Sequence, residues 1–409
     1  MRLLKITNFY PGYLSGFYDA RPELTGRPYG EQFSALMADC FSWADFWAVA
    51  LRKLGYEADE VVANVEPMQK RWAEERGVKY DEGDWQAEIA VAQVKAFAPD
   101  ILFSANHAAF GAQFLRRLKS ECPSIRLVVG WCGAPFDDPS VFREHDIVLS
   151  CVPELVEHFL REGHRCHHVN HAFEPRVLER INLGSEPTID FSFIGSVVKR
   201  DQYHVQREKL LLELVRKTDL QLWAGVNRVG ARERYSVGAR QLAYDAAHGA
   251  RQLGLPESLL RSVPVVGKAA RWKARPALPA ELAPEIARRA KEPLYGVKMY
   301  QTLRDSRVVL NTHIDISTTS ASNMRLFEVT GVGSCLLTDW KENITDLFEP
   351  GSEVVTYKSA EECVEKVSYL LGHERERRAI AEAGQRRTLR DHTIPQRAAQ
   401  LDEIIRAAV

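Results

Sequence analysis

The sequence predicts an α/β protein made of two doubly wound parallel-sheet domains, on three observations. Short β-branched apolar runs alternate with longer segments of helical period, the signature of a parallel sheet covered by helices. The alternation stops at a stretch holding Pro175, Gly184 and Pro187, then starts again. The chain has 409 residues, and at roughly 150 residues per domain that length accommodates two such units. The connecting stretch suits an interdomain boundary near 185, giving domains at 1–185 and 186–393 and a last segment at 394–409.

In the first series, residues 3–7, 101–105, 127–131 and 147–151 read as strands, each ending in a polar or glycine-bearing loop. Residues 31–54 carry Phe33, Leu36, Met37, Cys40, Trp43, Trp47, Ala50 and Leu51 at spacings of three and four, with Gly55 as a stop, which predicts one long amphipathic helix. The second series places strands at 189–195, 220–224, 308–311 and 335–338. Gly331-Val332-Gly333 leads from a helix into the last of these, as a helix stop and tight turn. Ser359 and Glu362 form a capping-box pattern ahead of Val364, Val367 and Leu371. In the last segment Leu401, Ile404, Ile405 and Ala408 share one helical face, which needs a partner surface.

Composition narrows the function classes. The 45% apolar and 27% charged residues fit a globular protein and exclude disorder or a fibrous repeat. Lys plus Arg total 54 against 55 Asp plus Glu, so no overall basic excess points to nucleic acid. The opening apolar run is broken by Lys5 and too short for a signal-peptide core, and no apolar run is long enough to cross a bilayer. Seven cysteines without a Cys-x-x-Cys pair predict reduced thiols in a cytoplasmic compartment and no zinc.

One region departs from this neutrality. Residues 228–291 hold thirteen basic residues against five acidic ones, an excess of eight. They form either a solvated helical insertion or a surface that meets anionic lipid or an anionic acceptor, a peripheral membrane contact.

The motifs first exclude, then point. The first strand is followed by Asn8-Phe9-Tyr10-Pro11-Gly12, so the dinucleotide fingerprint is absent, and Walker spacing is absent too. The informative segment is 311–331, where a strand ends near Asn311, a loop of small polar residues follows, and Ser322 or Asn323 can cap a helix whose first turn carries Arg325. Free amides, a positive helix end and a guanidinium there make an anion site suited to a diphosphate. Glu328 can accept from vicinal ribose hydroxyls, or simply pair with Arg325 within the helix.

Residues 323–339, Asn-Met-Arg-Leu-Phe-Glu-Val-Thr-Gly-Val-Gly-Ser-Cys-Leu-Leu-Thr-Asp, with Leu347-Phe348-Glu349-Pro350-Gly351, resemble the carboxyl-terminal signature of the CgeB/spore-maturation type of bacterial glycosyltransferase. Residues 387–393, Phe193-Ile194-Gly195-Ser196 and 300–311 are similar to further parts of that family, while 136–139, 146–149 and 171–175 match more loosely. The resemblance implies a GT-B architecture: two Rossmann-like domains facing a cleft, acceptor on the first, sugar nucleotide on the second. The last helix would cross back to the first domain. It further implies that Glu328 holds the ribose, that Asn323, Met324 and Arg325 hold the diphosphate, and that Gly195 and Ser196 let the backbone approach the phosphates. Lys199 and Arg200 would add charge.

The expected activity is therefore metal-independent transfer of a sugar, as in polysaccharide biosynthesis, from a nucleoside diphosphate donor to a glycan, lipid-linked glycan or protein acceptor. No cofactor beyond that donor is expected. No Asp-x-Asp motif for a divalent ion is present, and Ser320 stands where a retaining enzyme's second glutamate would be, eight positions before Glu328. An inverting enzyme needs a general base in the first domain, for which His107, Asp19, Asp137 and Asp138 are the candidates. Asp137 and Asp138 can equally cap a helix starting at Pro139, and Phe9, Tyr10, Tyr13, Phe17 and Tyr18 either stack on sugar faces or pack a long loop. A nonhydrolysing sugar-nucleotide epimerase and a noncatalytic coat or scaffold protein on the same fold are the competing readings.

Overall fold

A computed structural model describes the chain except residues 135, 137, 198–203, 227–230, 254–268, 270, 271, 273, 274, 277, 279–281 and 316. Asp137, Lys199 and Arg200 thus lie outside the described residues, as does much of the basic stretch.

Two six-stranded sheets, both parallel throughout, organise the fold. The first contains β1 (Arg2–Thr7), β2 (Glu57–Val62), β3 (Ile101–Ser104), β4 (Leu127–Trp131), β5 (Ile147–Ser150) and β6 (Cys166–His168), in the order β2-β1-β3-β4-β5-β6. The second contains β7 (Ile189–Val197), β8 (Gln221–Val226), β9 (Ala290–Lys291), β10 (Ser306–Asn311), β11 (Cys335–Asp339) and β12 (Val355–Tyr357), in the order β12-β11-β10-β7-β8-β9. Counted from β7 as the first strand, that is the Rossmann order 3-2-1-4-5-6.

Both faces of the strands are covered, so successive residues enter different cores. Leu3, Phe103 and Val129 pack on one side of the first sheet, and Leu4, Leu102 and Val128 on the other. That double burial is why these strands read as unbroken apolar runs rather than alternating ones. The core on the Leu3 side continues through Ile194, Val309 and Leu326 into the second lobe, joining the lobes by apolar packing.

The expected helix over 31–54 is two helices, Tyr29–Ala38 and Phe46–Lys53. Between them Cys40, Ser42 and Ala44 adopt left-handed φ of 55°, 56° and 38°. Phe41, Trp43 and Ala44 stay buried through the turn, so the apolar spacing persists while the backbone leaves the helix. The residues after β1 are likewise not a loop: Pro11–Asp19 is a helix, burying Tyr13 and Phe17. Phe9 is also buried, so packing accounts for these three rings.

Ser359 caps the helix Ala360–Gly372 by accepting from the amide of Glu362 at 3.2 Å. The Glu362 carboxylate reaches back one residue further than expected, to the amide of Lys358. Helix Ile394–Arg406 packs on Phe46–Lys53 of the first lobe, burying Ile394, Ala398, Leu401 and Ile405. Its Asp402 accepts from the Tyr56 hydroxyl at 2.7 Å, and Gln400 donates to the His168 carbonyl at 3.0 Å. Where the chain crosses back, the amide of Phe173 donates to His392 and that of Ile394 donates to Phe173, each at 2.9 Å. No described helix is long and apolar enough to cross a membrane.

Candidate functional site

In a doubly wound sheet, the chains leaving neighbouring strands diverge where the strand order reverses, and a crevice opens at the carboxyl ends. In the second sheet that point lies between β7 and β10. A cleft of about 450 Å³ occupies it, lined by Gly195 and Ser196 from β7, Trp223 and Gly225 from β8, and Asn311 and Thr312 from the end of β10. Asn323, Met324, Arg325 and Glu328 close one side, and Asn8, Tyr10, Phe41 and Ser42 of the first lobe face them.

Glu328, although 5% exposed, keeps its carboxylate on the cleft wall. One oxygen accepts from Arg325 Nη1 at 2.7 Å, the other from the Tyr300 hydroxyl at 3.3 Å. The intrahelical pair foreseen as the plain alternative therefore exists, and both its members line the cleft. Burial and the neighbouring Glu328 charge hold the Tyr300 phenol far above its ordinary pKa, so it stays a donor. Arg325 Nη1 also lies 3.0 Å from Met299 Sδ, which fixes the guanidinium at the cleft mouth.

Neither Ser322 nor Asn323 caps the following helix, which runs only over Arg325–Gly331 and begins from Met324 without a side-chain cap. Ser322 Oγ pairs instead with Ser317 Oγ at 2.9 Å, and Asn323 Nδ2 donates to Asn311 Oδ1 at 2.8 Å. Two turns give a small macrodipole, so the positive potential comes from side chains. At Gly195 a Cβ would stand 2.8 Å from the Phe193 ring tip, which makes the glycine a packing requirement of that strand end. Gly333, at φ 82°, ends the helix before β11 as expected.

The sequence reading missed Arg207. It sits in helix Val205–Lys217, 7% exposed, and donates to the carbonyls of Ser196 at 2.8 Å and Thr312 at 2.7 Å, tying β7 to β10 across the switch point. Burial pushes its pKa down to about 10, so it remains charged at neutral pH. Its Nε and the Oδ1 of Asn323 are buried without a partner among the described residues, both in side chains lining the cleft. Buried polar atoms are nearly always paired, and orphans at a cleft wall mark where a ligand's polar groups belong. The available signal was spacing: Arg207 precedes Leu210, Leu211 and Leu214 by three, four and seven, on the apolar face of its helix.

Six expected donor-side residues thus come together: Gly195, Ser196, Asn323, Met324, Arg325 and Glu328. Of the four candidate bases, the three among the described residues do not join them. Asp19 ends a helix, exposed, accepting from Ser15 Oγ at 3.2 Å. Asp138 caps the turn Pro139–Glu144 by accepting from the Ser140 amide at 2.8 Å. His107 follows β3, at the switch point of the first sheet, with Nδ1 3.4 Å from the Trp131 carbonyl and its ring against Phe142. Of the aromatic group after β1, Tyr10 lines the cleft. Among the described lining residues Glu328 is the sole carboxylate.

Two Rossmann-like parallel sheets across a cleft define the GT-B fold, and solved structures agree. A glycosyltransferase from Rickettsia africae aligns over 100% of this chain and 98% of its own with a TM-score of 0.53 at 8% identity. HepE from Anabaena, determined with UDP and glucose, aligns over 100% of both chains with a TM-score of 0.53 at 11% identity. Sucrose-phosphate synthase from Thermosynechococcus elongatus aligns over 100% of this chain and 98% of its own with a TM-score of 0.50 at 9% identity. In sequence, residues 240–403 match a family described as glycosyl transferase-like. No curated protein matches the chain.

Proposed function

We propose that this chain is a glycosyltransferase of the CgeB/spore-maturation type, moving a sugar from a nucleoside diphosphate donor to a glycan, lipid-linked glycan or protein acceptor without a metal ion. The reading rests on one cluster: Arg207, Asn323, Arg325 and Glu328 on one wall of the switch-point cleft, with Arg207 Nε and Asn323 Oδ1 unpaired among the described residues. Diphosphate oxygens are acceptors for both guanidiniums, and ribose hydroxyls are donors for Glu328 and partners for Asn323. Trp223, Pro293 and Leu294 supply an apolar bed for a base.

Transfer breaks the bond between the anomeric carbon and the diphosphate, so negative charge accumulates on the leaving group as positive charge develops on the sugar. Groups fixed before the reaction stabilise that charge without reorganising. Arg207 is locked by two carbonyls, and Arg325 is held through Nη1 while its other nitrogens remain for phosphate. Tyr300 and Arg325 hold the Glu328 carboxylate in one orientation, so that the ribose anchors the donor in one register. All seven cysteines are free and buried, which suits a reducing, cytoplasmic setting.

Calorimetric titration with UDP, GDP and dTDP in the absence of metal tests this. HepE was determined with UDP-glucose as well as UDP, which makes UDP the first ligand to try. Binding that Glu328→Ala weakens while the fold is kept supports the reading, and no binding of any of the three removes it. Incubation with a sugar nucleotide alone leaves the donor unchanged for a transferase, whereas conversion to an epimer sinks transfer in favour of epimerisation.

A further inference from the structure

We propose that the outer face of helix Ala231–Gln252 docks on an anionic lipid surface. Docking is read by binding alone and stands apart from the transfer reading.

One face of this helix is already used. Val237 and Ala247 are buried, the latter with Ala269, and Ala243 and Trp272 pack beside them. Arg275 clasps Asp245 with two hydrogen bonds of 2.9 and 2.8 Å, and Gln241 donates to the Pro276 carbonyl at 2.8 Å. The opposite face should then be polar, as on an ordinary surface helix. It is not. Leu253, Tyr235 and Leu242, at 84%, 82% and 73% exposure, are the most exposed large apolar side chains among the described residues. At 3.6 residues per turn, Leu242 lies two turns and Leu253 five turns beyond Tyr235, so the three fall in one line, with exposed Ala239 and Ala246 between them.

Charge selects the occupant. Residues 228–291 carry an excess of eight positive charges in a chain whose net charge is −1, and exposed Arg232 stands beside the stripe, about 60° round the helix from Tyr235. A second copy would set two such basic regions against each other, and a nucleic acid would leave the apolar line against phosphate and water. An anionic bilayer meets both features, taking the stripe at the acyl boundary and Arg232 among headgroups. The helix would lie in the interface, since no described helix can span a membrane.

Position gives the docking a consequence. The insertion leaves the sheet from β8, whose Trp223 and Gly225 line the cleft, and the chain returns to the cleft rim at Pro293, Leu294 and Tyr295. A membrane-bound insertion therefore holds the cleft beside the headgroups, where a lipid-linked acceptor is presented. This last step rests on the transferase reading.

The experiment is co-sedimentation of the full chain with phosphatidylcholine vesicles, and with phosphatidylcholine mixed with phosphatidylglycerol, at low and high salt. Expected is partition to the anionic vesicles, weakened by salt. Leu242→Glu and Tyr235→Glu should each reduce it at least about tenfold, with the melting temperature kept because both side chains are exposed. Leu160→Glu, at an exposed leucine of the first lobe, should leave partition unchanged. No partition to anionic vesicles overturns the proposal, as does partition that Leu242→Glu fails to weaken. Concentration-dependent dimers that Leu242→Glu abolishes would also overturn it, by making the stripe a contact between copies.

Discussion

The two walls of the cleft carry opposite chemistry. The second-lobe wall holds two guanidiniums, a carboxylate and two asparagines, held by hydrogen bonds to β7, the end of β10 or a neighbouring helix. The first-lobe wall offers Tyr10, Phe41, Ser42 and Asn8, with no charge. Its rings are held by one another: Phe41 stacks on Tyr13 at 3.8 Å between centroids and meets Tyr295 of the second lobe edge-on at 5.5 Å. The contrast teaches a division of labour. On the proposed transferase reading, one lobe would fix charge where charge must be stabilised, and the other would offer flat surface to a polyhydroxylated partner.

If the division holds, damage to the charged wall is the most costly. Arg325→Ala removes a charge-assisted contact to the donor and leaves Glu328 with Tyr300 as its remaining partner. We expect transfer to fall by about 10² to 10³, and UDP affinity to weaken by about 1.5–3 kcal/mol. Calorimetry and a transfer assay measure the two, and equal loss from Tyr10→Ala would break the comparison.

The seam between the walls comes next. Gly296 has φ +55°, and a Cβ there would stand 2.4 Å from the Asp39 carbonyl oxygen and 2.3 Å from its carboxylate. Gly296→Ala should cost about 3 kcal/mol, read as a lower melting temperature. Donor binding, which the proposed function assigns to the second lobe, should survive at temperatures where the variant stays folded.

Acidification loads both lobes alike. Burial pushes His145 in the first lobe and His392 at the crossing each down to about 4. His392 Nε2 donates to the Leu347 carbonyl while Nδ1 accepts from Arg397, an arrangement that only the neutral ring allows. The unfolded chain takes up these protons near pH 6.5 and the folded chain refuses them until about pH 4. Stability is thus intact above pH 6.5 and falls as pH drops, by about 1.4 kcal/mol per pH unit for each ring. Calorimetric melting from pH 7 to 5 reads the slope, and a flat profile contradicts it.

The smallest effect belongs to the aromatic wall. Tyr10→Ala removes an exposed ring and should change donor affinity within error while raising the acceptor KM by a factor of about 3–10, a ring contact being worth about 0.5–1.5 kcal/mol. An altered donor affinity would blur the two walls into one.

Much of this was legible beforehand for a physical reason. Strands buried on both faces leave long apolar runs, so β1, β3, β4, β5, β7, β8, β10 and β11 could be read directly. β2 could not, because Glu60 is buried in it against Lys5 of β1 at 2.5 Å, and a buried ion pair looks like surface in sequence. β6, β9 and β12 are edge strands of two or three residues. The turn at 40–45 hid because its left-handed residues include no glycine or proline. On the site, Asn323 to Glu328 stood out as a contiguous motif. Arg207 looked like one more charge on a basic helix, since what makes it special is the pair of carbonyls brought to it from β7 and β10.

The paired crossings at Phe173 and His392–Ile394 have a mechanical meaning. Two spans of chain bridge the lobes there, and two backbone hydrogen bonds pin them side by side. Two struts tied at one point cannot shear past each other without breaking the tie, so sliding of one lobe along the other is opposed where the chain crosses.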